Sequence, residues 1–193
     1  MDDLRVLCLH GYAGNAQLLR RQMAPAVSAF GAAEFVYPDA PSLAAGDYGW
    51  WHTPSQGWER TRAWLLDLFA AQFRFDAVFG LSQGAALTGL LVGMRENGEP
   101  GIDFDFAVMV GGFKNDAPAH ADYYRRRFTL PSVHIIGRSD GVIPPYESQQ
   151  LADQFDAPVV LHHPGGHVIP ADSAVVAALA YFVDSCRRSA SSR

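Results

Sequence analysis

The segment Gly80-Leu81-Ser82-Gln83-Gly84 sets a hydroxyl between two glycines in a G-x-S-x-G pattern. A serine held on a sharp strand-to-helix turn has a strained backbone, and a Cβ two positions to either side would collide with its neighbours; glycine removes both clashes. The turn lifts the hydroxyl clear of a sheet, and the N-terminus of the following helix favours negative charge beside it. A serine hydroxyl is a poor nucleophile near neutral pH, so it needs a base, and the base needs an orienting carboxylate. Downstream, Gly137-Arg138-Ser139-Asp140-Gly141 offers the carboxylate and His162-His163-Pro164-Gly165-Gly166-His167 offers imidazoles, in the order Ser, Asp, His. Asp140-Gly141 taken alone also fits an ordinary turn. His162 and His163 fall at a strand edge, where alternation points them to opposite faces, whereas His167 follows a Gly-Gly pair able to carry it over the serine. His167 is therefore the candidate base. His163 and His167 are four apart, a spacing that holds a metal only on a helix; Pro164 and the glycines oppose one, so no metal is expected. The oxyanion formed by attack on a carbonyl needs two donors, for which the backbone N–H groups of Gln83 and Tyr12 are the candidates. Tyr12 lies in the loop His10-Gly11-Tyr12-Ala13-Gly14-Asn15, where His10 is expected to order the loop by hydrogen bonds rather than act as base.

These loops require elements to carry them. Leu4 to Leu9, Glu34 to Tyr37, Ala77 to Gly80, Phe104 to Val110, Val133 to Ile136 and Val159 to Leu161 have strand length and are bounded by Gly, Pro or Asp. Helical spacing runs from Asn15 to Phe30, with a kink or split expected near Ala24 because of Pro25. Thr53-Pro54-Ser55-Gln56 fits a capping box opening a helix with Leu65, Leu68, Phe69 and Phe73 on one face. Further helices are expected after Ser82, from Tyr146 to Phe155, and from Asp172 to Arg187. Continuous apolar strands alternating with helices imply an α/β fold of about six mostly parallel strands, with helices on both faces. In such sheets ligands bind beyond the carboxyl ends of the strands, which is where every candidate residue falls.

The chain has 193 residues, 49% of them hydrophobic, enough to bury one large core. One domain over residues 1–188 is expected, followed by a frayed tail at 189–193. The net charge of −5 is opposite in sign to a nucleic-acid footprint, so no nucleic-acid partner is expected. Cys8 and Cys186 lie far apart inside apolar patterns, which suits reduced thiols and a cytoplasmic protein. Met1-Asp2-Asp3 leads into an apolar run too short for a signal peptide or membrane span. No feature of the sequence sets an oligomeric state.

Leu7-Cys8-Leu9-His10-Gly11-Tyr12, Trp50-Trp51, Gly80 to Ala85, Gly111-Gly112-Phe113-Lys114 and Gly165-Gly166-His167 together resemble the FSH-type serine hydrolase family of the α/β-hydrolase superfamily, over residues 4–186. The resemblance implies a compact hydrolase without a large cap domain that cleaves carboxylic esters or thioesters, often with acyl chains. It also implies Ser82, Asp140 and His167 as the triad, a small-molecule substrate and no cofactor. The chain departs from the pattern in its first loop, Tyr12-Ala13-Gly14-Asn15, and in having few residues after Gly111 for a lid. Tyr48, Trp50, Trp51 and Phe113 fall at the same sheet edge and would make an apolar acyl slot, with the tryptophans alternatively packing beneath the next helix. Arg125-Arg126-Arg127 reads as a solvated face. Two other readings stay open: a small-ligand-binding protein on a hydrolase fold that does not cleave, and a serine peptidase.

Overall fold

The computed structural model describes residues 3–44, 47–71 and 74–190. In chain order the strands are β1 (Leu4–Leu9), β2 (Ala33–Val36), β3 (Ser42–Ala44), β4 (Asp47–Gly49), β5 (Ala77–Leu81), β6 (Phe106–Val110), β7 (Ser132–Gly137) and β8 (Val159–His163). The α-helices are α1 (Ala16–Gln22), α2 (Trp58–Ala71), α3 (Gln83–Glu96), α4 (Pro145–Ala152) and α5 (Ser173–Ala190). Among the described residues, six strands form one sheet in the order β2-β1-β5-β6-β7-β8, every neighbouring pair parallel.

Alternation along the strands divides the core between the two faces of this sheet. Leu4, Val6 and Cys8 of β1, Phe79 of β5 and Val108 of β6 pack with Leu19 of α1 and with Val175, Leu179, Phe182 and Val183 of α5. On the other face Leu7, Leu9, Val78, Ala107 and Met109 meet Leu65 and Phe69 of α2, the buried run of α3 and Leu151 of α4. Helix α3 is buried from Gln83 to Met94 and so has no polar side. Its small residues let backbones come close: a Cβ on Gly93 would lie 2.6 Å from the carbonyl oxygen of Tyr123, in the 3-10 segment Pro118–Tyr124 that covers this helix. No helix among the described residues is long and apolar enough to cross a membrane.

Several expected boundaries move. The 15–30 helix splits as its proline requires, into α1 and a 3-10 turn at Val27–Phe30, because Pro25 has no N–H to continue the ladder. The fourth expected strand begins at Phe106 rather than Phe104, since the Asp105 amide is donated to the Asp76 carbonyl at 2.8 Å instead of to a strand. Helix α2 begins at Trp58, not at the Thr53-Pro54 cap. His52 and Gln56 exchange two backbone hydrogen bonds at 2.7 and 2.8 Å, which close that stretch into a turn. Gly57, at φ +88°, then accepts from the Thr61 amide as the helix starts. Helix α4 ends at Ala152, short of Phe155, and α5 continues through Ala190 into the expected tail. The β3–β4 hairpin was not among the expected elements. Phe73 lies outside the described residues.

Candidate active site

The chain leaves β1 toward β2 at one edge, then returns through α2 to β5 on the opposite side of β1. That reversal opens a crevice at the carboxyl ends of β1 and β5. Ser82 stands at its base as the first residue after β5 and the cap of α3, with φ 56° and ψ −119°, a conformation that few non-glycine residues adopt. Its amide is donated to Val110 and its carbonyl accepts from Ala86, so the strain is held between β6 and α3. The flanking glycines are required by contact: a Cβ on Gly84 would fall 2.0 Å from the Leu9 carbonyl oxygen, and one on Gly80 would fall 2.3 Å from that of Gly84. Gly11 brings the β1 loop against the serine, since a Cβ there would lie 3.2 Å from Ser82 Cβ.

Asp140 lies in the loop after β7. Its Oδ1 accepts from the amides of Val142 and Ile143, both at 2.9 Å, and its Oδ2 lies 2.7 Å from Nδ1 of His167. The carboxylate is thus satisfied on one oxygen by backbone and turned with the other onto the imidazole, an arrangement that fixes the ring and leaves Nε2 free. The two side chains differ in exposure, 2% for Asp140 and 18% for His167, so the acid is sheltered while the imidazole meets the cavity. Beneath both sits Gly111, φ +54°, where a Cβ would come 2.9 Å from the His167 ring and 3.3 Å from Asp140 Oδ2. His162 is exposed and His163 is buried, as alternation implies. His163 Nδ1 accepts from the Gly165 amide at 3.2 Å, which shapes the Gly-Gly turn that delivers His167.

His10 is buried between Ala40 and its own loop. Its Nε2 accepts from the Ala40 amide at 3.0 Å and its Nδ1 faces the Gly11 carbonyl at 2.7 Å, a pattern that a neutral ring with its proton on Nδ1 satisfies. Burial also pushes its pKa below the usual histidine value. His10 therefore orders the loop.

Ser82 opens onto two hollows. One, of about 620 Å³, is lined by Trp51, Pro54, Phe113, Ala117 and Ile143, with Lys114 and Asp116 also on its walls. The other, of about 280 Å³, is lined by His10, Gly11, Asn15, Leu18, Gln22 and His167. Tyr12, Ser82 and Val142 border both. Trp51 and Phe113 thus line the larger groove, but Trp50 does not. It is fully buried, its indole N–H donated to the His10 carbonyl at 2.7 Å, its carbonyl accepting from Thr61 and its ring tilted against Trp64. The expectation that Trp50 contacts substrate is corrected to a supporting role behind the wall.

One feature of this wall has no signature in the sequence. The Gln83 carboxamide, 5% exposed, accepts from the Trp50 amide at 3.0 Å and donates to the Trp51 carbonyl at 2.7 Å. The residue that follows the serine thereby ties the elbow to the groove. Behind Trp51, His120 sits edge-on to Trp51 and Trp58 at 5.4 and 4.7 Å between ring centroids, and burial drives its pKa down to about 4.

A parallel sheet with helices on both faces, a strained serine at the strand-to-helix turn and an Asp-His pair on later loops define an α/β-hydrolase. The maize acyl-protein thioesterase 2 has the same fold, with a TM-score of 0.68 and 18% identity over 95% of each chain. The chain belongs to the serine hydrolase (FSH1) family, whose model matches residues 1–179. It is 35% identical to the Xenopus tropicalis protein named esterase OVCA2, over 87% of this chain and 86% of that one. It is 30% identical to the human protein of the same name, over 94% and 96%.

Proposed function

We propose that the protein is an esterase or thioesterase acting on small-molecule carboxylic acyl compounds, with Ser82 as nucleophile, His167 as base and Asp140 as the residue that orients it. Ser82 Oγ attacks the acyl carbon while His167 Nε2 takes its proton. The amides of Tyr12 and Gln83 hold the oxyanion. The C–O or C–S bond breaks, its electron pair leaves with the alcohol or thiol, and His167 returns the proton to that atom. Water, deprotonated by the same imidazole, then cleaves the acyl-serine and restores the hydroxyl.

The observation that carries this reading is the 2.7 Å contact of His167 with Asp140, on a cavity that Ser82 shares. Membership of a serine hydrolase family and relatives named esterase support it. Trp51 and Phe113 are the proposed substrate contacts, on the groove that suits the acyl part. The free state of Cys8 and Cys186 supports a cytoplasmic setting. A fluorophosphonate probe tests the reading: a single adduct on the Ser82 peptide, absent in a folded Ser82→Ala protein, is expected. Folded parent protein that takes up no probe would instead favour a binding protein. Turnover of an aryl ester should drop on the order of 10⁶-fold in Ser82→Ala.

A further inference from the structure

Resting on the hydrolase reading, the geometry points to a division of the substrate: we propose that the leaving alcohol or thiol occupies the smaller cavity between the β1 loop and α1. The Tyr12 side chain is then the partition between it and the acyl groove.

His167 commits Nδ1 to Asp140, so Nε2 is the nitrogen that can hand a proton to the departing atom. A proton donor must come within about 2.6–3.2 Å of the atom it protonates. Of the two hollows that meet at Ser82, His167 lines the smaller. When the acyl carbon is joined to Ser82 Oγ and its bond to the leaving group breaks, the oxygen or sulfur that receives the Nε2 proton must lie on the His167 side. The acyl chain is then directed into the groove walled by Trp51, Phe113 and Pro54.

Tyr12 borders both spaces, and its ring is held although the residue is 55% exposed. Its hydroxyl meets His52 Nδ1 at 3.0 Å, and the two rings stand nearly perpendicular at 82°. The ring also seats against Gly49, where a Cβ would approach Tyr12 Cε2 to 3.0 Å. An exposed aromatic latched at its tip and supported along its edge divides two spaces without belonging to a core. The smaller cavity measures about 280 Å³ against about 620 Å³, so the enzyme's preference is for a compact leaving group joined to a larger acyl part. Leu18 and Gln22 on α1 set the size of that compartment.

The test uses two esters of one acyl group, the methyl ester and the cyclohexylmethyl ester, compared by kcat/KM. Leu18→Trp adds bulk at a position that is 41% exposed, so the fold is expected to tolerate it. Its ratio of cyclohexylmethyl to methyl ester activity should fall at least tenfold, while Tyr12→Ala should raise that ratio. Phe113→Ala, in the other space, should change the dependence on acyl length and leave the leaving-group ratio within about twofold. A ratio unmoved by Leu18→Trp, or moved by Phe113→Ala instead, overturns the division. Fluorophosphonate labelling of Ser82 is run in parallel. Labelling with an unmoved ratio defeats only the division, whereas no labelling of parent protein defeats the hydrolase reading itself.

Discussion

The serine elbow and the wall of the larger groove border one hollow and are built by different means. At the elbow, position is set by main chain against main chain: Gly84 packs so near the Leu9 carbonyl that a Cβ would lie 2.0 Å away, and β5 is locked between β1 and β6. The wall comes from irregular chain around Trp51, Pro54 and Phe113; a backbone pair between His52 and Gln56 closes the turn at Pro54, and the rest is held by single side-chain bonds. Gln83 fixes Trp50 and Trp51, Ser148 donates to the Gly112 carbonyl at 2.7 Å, and Asn115 accepts from the Ala117 amide at 2.9 Å. Backbone contact admits no gradual change, whereas a side-chain bond is lost one at a time. The position of the serine is therefore rigid and the shape of the larger groove is adjustable.

Substitutions should expose that contrast as a gradient. Gly84→Ala puts a methyl group into a carbonyl, and relief requires β1 and α3 to part. The expected result is loss of more than about 4 kcal/mol or failure to fold, read by thermal melting. Gly111→Ala also meets a positive φ, but what yields there is the His167 ring. The fold should survive with a drop in kcat of about 10²-fold, because misplacing the base by an ångström has that effect. Activity at the parent rate would mean that the ring has room to move.

Acid should loosen the wall. His120 is neutral in the folded protein, with its pKa pushed down to about 4, but takes a proton in the unfolded chain below the ordinary value of 6.5. Unfolding then consumes a proton, so stability is full above pH 6.5 and declines as pH falls toward 4, by up to about 2 kcal/mol between pH 6.5 and 5. His134, driven down to about 3 by burial, adds to the same slope. Urea midpoints across that range check this, and a flat profile would contradict it. Gln83→Ala keeps the elbow backbone and loses two hydrogen bonds to the wall. About 1–3 kcal/mol of stability should go, with KM for longer acyl esters rising more than kcat falls.

The same contrast explains what the sequence revealed. The elbow was readable because its glycines answer a local steric demand, and the strands because apolar runs on a twice-covered sheet have no polar positions. The split at Pro25 was readable from a missing N–H. The Thr53-Pro54-Ser55-Gln56 stretch satisfied every local rule for a helix start, yet His52 and Gln56 pair with each other and delay α2 to Trp58. Trp50 reads as a pocket aromatic because it falls with Tyr48, Trp51 and Phe113 in loops at one sheet edge. Its burial depends on His10, Thr61, Trp64 and Gln83, none of them within ten residues of it. The three-residue strands β3 and β4 are too short for a periodic signal, and β4 is further tied to Gly14 by an isolated bridge. The 3-10 segment over α3 likewise owes its place to Gly93, far from it in the chain.

On the proposed reading, an imidazole at position 167, steered by Asp140, activates one hydroxyl. Mixing the protein with an activated aryl ester, quenching within the first turnovers and weighing the peptides tests it most directly. A burst of released phenol equal to the enzyme present is expected, with the acyl mass on the Ser82 peptide. The burst should be lost in His167→Ala but retained in His162→Ala. An acyl group found on another residue, or a burst undiminished in His167→Ala, would contradict it.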